Sequence, residues 1–73
     1  MSLEAKGKVL KSEIFSNGYS IKEFSEKVNI SRTYMSSVVN NKKGVSPQSA
    51  KNIANLLNCN ISDLFKVTDE KGN

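Results

Sequence analysis

The stretch Ser20 to Asn40, SIKEFSEKVNISRTYMSSVVN, limits what this chain can fold into more than any other. It reads as two short helices joined by a tight turn, and each half opens on a serine. Ser20 and Glu23 have the S-x-x-E spacing of a capping box, in which each side chain accepts a bond from a free backbone N–H of the other. Ile21, Phe24 and Val28 make an inward face. Ser25 lies on that side, where a small residue lets a neighbouring helix come close and a hydroxyl can bond back to the preceding turn. Lys22, Glu23, Glu26 and Lys27 face outward. Asn29 supplies the left-handed step of the turn, because asparagine tolerates positive φ better than most residues with a Cβ. Ile30 then plugs the space between the helices, and Ser31 caps the next one.

On a helical wheel at about 100° per residue with Arg32 at zero, Tyr34, Val38, Met35 and Val39 fall between about 200° and 340°. Arg32, Ser36, Asn40, Thr33 and Ser37 fall between 0° and about 140°. The polar arc carries one arginine, no acid and otherwise short hydrogen-bonding groups. A solvated face would normally carry lysine–glutamate pairs; this one can press its backbone against something.

What supports these two helices must be helix packing. Seventy-three residues make one domain near the lower size limit for folding without staples. The single cysteine, Cys59, has no disulfide partner, and the absence of histidine removes the usual zinc clusters. No metal and no cofactor is expected. Periodicity predicts a first helix over Glu4–Ser16 with Leu3, Gly7, Leu10 and Ile14 on one stripe, ended by Asn17-Gly18. Gly7 weakens that helix; it allows a close approach of another helix, or the true start lies after it. Phe15, off the stripe, is available for a second contact. Asn40 to Val45 is a loop by composition. Ser46-Pro47 opens a fourth helix with Ala50, Ile53, Ala54 and Leu57 as its stripe, and Asn58-Cys59-Asn60 breaks it. Ser62 to Phe65 reads as a last helical turn capped by Ser62. The expectation is an all-α, compact five-helix bundle, one domain over 1–67 with a frayed polar tail over 68–73. No apolar run reaches the ~20 residues of a membrane span, and a cytoplasmic setting is expected.

Charge placement adds direction. Between Glu26 and Asp63 there are five basic residues (Lys27, Arg32, Lys42, Lys43, Lys51) and no acid. The remainder holds six basic and seven acidic residues. A polyanionic partner on one side of the molecule follows. An enzyme is poorly supported, since no nucleophile–base pair or glycine-rich phosphate loop is present. Cys59, in an apolar context, reads as a small core residue.

With these elements in order, Gly18 to Phe65 resembles the Xre/Cro/phage-repressor type of helix-turn-helix domain, which is lambda-repressor-like. The matching parts are GYSIKEFSEKVNISRTYMSSVVNNKK and SPQSAKNIANLLNCNISDLF. Departures from the family pattern stand at Ile21, commonly a glutamine that holds a phosphate, at Ser25 (alanine), Asn29 and Asn41 (glycine), and Val39 (an acid). The resemblance implies base contacts from Arg32, Thr33 and Ser37. It implies backbone contacts from Ser31, Tyr34 and Asn40, with Lys42, Lys43 and Lys22 neutralising phosphates. Tyr34 reads equally as a core-edge residue with its hydroxyl in water. Ser36 is expected to be small for packing against the second helix.

Two functions follow as expectations. The first is a sequence-specific transcriptional regulator, a repressor, that binds a palindromic double-stranded operator as a homodimer through surfaces near Leu56 and the last helical turn. The second is an antitoxin-type module that neutralises a toxin partner and also binds its own operator.

Overall fold

The computed structural model describes residues 2–68. The order is β1 (Ser2–Ala5), α1 (Gly7–Ser16), α2 (Ile21–Lys27), α3 (Arg32–Val39), α4 (Pro47–Leu57), α5 (Ile61–Leu64) and β2 (Phe65–Thr68). Five helices are present as expected, but an all-α fold is not quite right. β1 and β2 pair antiparallel, with Leu3 opposite Val67 and Ala5 opposite Phe65. On its other side Leu3 exchanges two backbone bonds with Val45, at 3.0 and 2.9 Å. Leu3 and Ala5 therefore enter the core by the alternation of a strand, and α1 begins at Gly7 instead of Glu4. Thr68, assigned to the tail, is paired with Ser2. Residues 69–73 of that tail lie outside the described residues.

Helix boundaries follow from punctuation. Ser20, Ser31 and Ser46 cap α2, α3 and α4, each accepting a bond from a backbone N–H three residues on. The capping box of α2 is complete, with both bonds at 3.0 Å. Its backbone and hydroxyl donors at Ser20 hold the Glu23 carboxyl below its ordinary pKa. That contribution to stability is present above the unfolded value and is lost as pH falls. The cap of α5 is Asn60, not Ser62: its N–H donates to Asp63 at 3.2 Å, and the helix starts one residue before Ser62.

The exits of α1 to α4 share one geometry. A residue at positive φ follows each helix: Gly18 (85°), Asn29 (60°), Asn41 (62°) and Asn58 (58°). The next amide then donates back to a carbonyl five residues earlier, as from Ile30 to Ser25 and from Lys42 to Ser37. Asparagine thus does at three positions what glycine does at one.

The core is continuous. Leu10 and Ile14 of α1, Phe24 of α2, Met35 and Val38 of α3, Ile53 of α4 and Leu64 of α5 are fully buried. Ser25 is buried as well, and its hydroxyl donates to the Lys22 carbonyl at 2.7 Å. Gly7 marks the closest approach of α1 to the end of α3: a Cβ there would collide with the Val39 carbonyl oxygen and the Asn41 side chain. Alanine gains at most about 1 kcal/mol over glycine in a helix, while overpacking costs about 1–3 kcal/mol. Because one obstacle is main chain, the collision wins. Gly7→Ala is expected to lower stability by about 1–2 kcal/mol on balance, measured by urea unfolding. A raised midpoint would show that α1 moves aside freely.

Candidate nucleic-acid interface

The turn Val28-Asn29-Ile30 sets α3 against α2, and the apolar residues Met35, Val38 and Val39 fix its rotation by entering the core. That rotation leaves Ser31, Arg32, Thr33, Ser36 and Asn40 exposed. Ser37, at the margin of the polar arc, is half-buried. Ser36 was expected to be kept small for packing; it faces solvent instead, and the small residue that is buried is Ser25. Among the described residues Arg32 has no acidic partner, so its guanidinium is available in full.

Three of the other expected contact residues have local duties. Asn40 caps the end of α3, its side-chain amide donating to the Ser36 carbonyl at 2.9 Å. The Tyr34 hydroxyl donates to the Gly44 carbonyl at 2.7 Å. Its proton is therefore committed within the protein, while the residue stays 39% exposed. Tyr34 is also the residue whose N–H is capped by Ser31, at 3.1 Å.

Lys42 and Lys43 are exposed on the loop that follows α3, and the Lys43 ammonium lies 5.7 Å from the centre of the Tyr34 ring. Lys22 is exposed on α2. Sequence reasoning missed Asn41 and Gly44 as parts of this surface. The Asn41 side-chain amide donates to the Ala5 carbonyl, tying the loop to β1. Asparagine as a turn-former was visible in the sequence; its partner thirty-six residues away was not. The result is an acid-free surface of short polar groups, one free arginine and two loop lysines on a fixed backbone. Such a surface suits a groove edged with negative charge.

Among the described residues no cluster of three His, Cys, Asp or Glu side chains could hold a metal ion. Desolvation, reinforced by the Glu13 carboxylate, pushes the Cys59 thiol above its ordinary pKa, the reverse of what a nucleophile needs. Within the described residues no helix is long and apolar enough to cross a membrane.

Several solved structures share this architecture. The chain superposes on the regulator SinR, described as the master regulator for biofilm formation and solved in complex with DNA, with a TM-score of 0.72 and 26% identity. That match covers 78% of this chain and 95% of SinR. ClgR, the clp gene regulator of Corynebacterium glutamicum, matches with a TM-score of 0.71 and 24% identity over 78% of this chain. The chain spans only 61% of ClgR. The transcriptional regulator VanUg matches with a TM-score of 0.69 and 20% identity, over 96% of this chain and 92% of its own. At their identities ClgR and VanUg speak for the fold alone. Among curated protein sequences none matches the chain. The profile of the Cro/C1-type DNA-binding domain matches residues 10–70, and the chain belongs to that helix-turn-helix family.

Proposed function

We propose that this protein is a sequence-specific transcriptional regulator, a repressor, that inserts α3 in the major groove of double-stranded DNA. The observation that carries this reading is the exposed, acid-free face of α3 with an unpaired Arg32. The family supports it, as does a solved neighbour bound to DNA. Arg32 is assigned to a guanine edge, which a guanidinium binds bidentately, and Thr33 and the accessible part of Ser37 to adjacent bases. Ser31, Asn40, Lys42, Lys43 and Lys22 are assigned to the sugar-phosphate backbone. One short helix offers few base contacts. A homodimer on a two-fold symmetric operator, with recognition helices ~34 Å apart, supplies the missing specificity. Leu56 and Ile61, both only half-buried, support a dimer surface near α5.

Selection of bound duplexes from a random pool tests the whole reading, since it reports specificity, symmetry and half-site spacing together. Recovery of no common sequence would overturn it. Within the same system, Lys42→Ala and Lys43→Ala are each expected to weaken all DNA alike and to reduce the salt slope of binding by about one. An unchanged slope would place those ammonium groups away from phosphates.

The antitoxin-type alternative has one observation in its favour. Phe15 is 53% exposed and borders a groove with Lys8, Lys11 and Ser12 on α1. A tightly bound second protein that is released by Phe15→Ser, with DNA affinity unchanged, would favour that reading.

A further inference from the structure

The loop from Asn40 to Val45 carries two lysines and a glycine, a composition that by itself orders nothing. Yet its backbone is fastened along its length. Lys42 N–H donates to the Ser37 carbonyl at 2.8 Å. The Asn41 amide donates to the Ala5 carbonyl. Val45 exchanges two backbone bonds with Leu3. Between these anchors stands Gly44, the residue with the widest conformational choice. Its carbonyl is held by the Tyr34 hydroxyl at 2.7 Å, and the Tyr34 ring lies 5.7 Å from the Lys43 ammonium. Tyr34 thus hydrogen-bonds from α3 across to the loop. Its backbone belongs to the capped first turn of the helix, so the loop is set relative to the end of α3 that carries Arg32 and Thr33.

We infer that Tyr34 is a positioning residue: its hydroxyl latches the Gly44 carbonyl and so presets the loop, holding Lys42 and Lys43 where they meet phosphates while the start of α3 meets bases. The latch rests on the reading of α3 as the groove helix, and it reassigns Tyr34 from a direct backbone contact to an indirect one. A phosphate would need the proton that Gly44 already receives. Preset cations bind with less ordering cost than cations on a loose loop, so the latch acts on affinity for any sequence and leaves base preference alone.

Tyr34→Phe keeps the ring beside Lys43 and deletes the latch. In the free protein, amide exchange at Lys42 and Val45 is expected to accelerate at least several-fold, with exchange in α1 and α4 unchanged. Binding to the selected duplex is expected to weaken about three- to tenfold, the range for loss of one net hydrogen bond, with equal loss on unrelated duplexes. In a Lys42→Ala/Lys43→Ala background, Tyr34→Phe is expected to cost no further affinity, because the groups it positions are gone. Unchanged exchange with weakened binding would make Tyr34 a direct phosphate contact and overturn the latch. Accelerated exchange with unchanged binding would overturn its role in DNA recognition. Additive losses in the triple variant would do the same. If the unsubstituted protein bound no duplex at all, the groove reading would fail, while the exchange measurement would still decide whether the latch exists.

Discussion

Phe24→Ala is expected to remove about 3–5 kcal/mol of folding stability, the range for deleting a fully buried aromatic ring. Phe24 has no exposed surface, and its ring stands edge-on to Tyr19 with centroids 5.5 Å apart. An aromatic pair of this kind adds about 0.5–1.5 kcal/mol beyond area burial. A chain of this length has about 4–11 kcal/mol in total at the usual 0.05–0.15 kcal/mol per residue. The loss is therefore a large share of the whole, and near the lower bound the domain unfolds. The effect on DNA binding follows from position. Phe24 sits at the centre of α2, and α2 is the element against which the turn sets α3. Urea unfolding followed by circular dichroism measures the loss, and Phe24→Leu, which keeps most of the volume, is expected to cost less than half as much. A loss under about 1 kcal/mol for Phe24→Ala would mean that the ring is not the core element described here.

Arg32→Ala is expected to cost about 1–3 kcal/mol at the selected operator, or roughly 5–150-fold in affinity. The same change should leave folding untouched, because Arg32 is exposed and makes no ion pair among the described residues. Its signature is the pattern of loss. Preference should relax at one base pair, while unrelated duplexes lose far less. Competition binding on the operator and its single-base variants makes the measurement. If operator and random DNA lost affinity equally, Arg32 would be holding a phosphate and the base assignment would be wrong. The Lys42 and Lys43 variants provide the contrast, since a backbone contact lowers all affinities together.

Most of the helical frame was legible because its signals are local. Ser20 with Glu23, Ser31 alone and Ser46 before Pro47 each announce a helix within four residues. Gly18 and Asn29 announce the exits in the same way. The wheel for α3 placed Met35, Val38 and Val39 inside and Arg32, Thr33 and Asn40 outside, as found. It placed Ser37 near the edge of the polar arc, where the structure leaves it half-buried. Ser36, at the middle of that arc, was exposed by the same geometry, and the family expectation of a packed residue gave way to it. What failed to show was non-local. Ser2–Ala5 alternates over only four residues, too few to separate a strand from the start of a helical stripe that also includes Gly7. Phe65 to Thr68 is rich in strand-forming residues, but its partner lies at the other end of the chain. The choice of Asn60 over Ser62 as a cap turned on Asp63, three residues beyond Asn60. The latch from Tyr34 to Gly44 depends on the path of a loop that no periodicity describes.

Pairing of Leu3 with Val67 also bears on how the molecule is made. β1 precedes the five helices and β2 follows them, so the helices can collapse during synthesis before the two strands meet. Closing so long a segment costs only slowly more with length, yet it cannot begin until Val67 has cleared the exit tunnel. Until then Leu3 can already pair with Val45. The bonds that fasten the lysine loop, to Leu3, Ala5, Tyr34 and Ser37, all lie upstream of β2, so that loop can be secured before the two strands close.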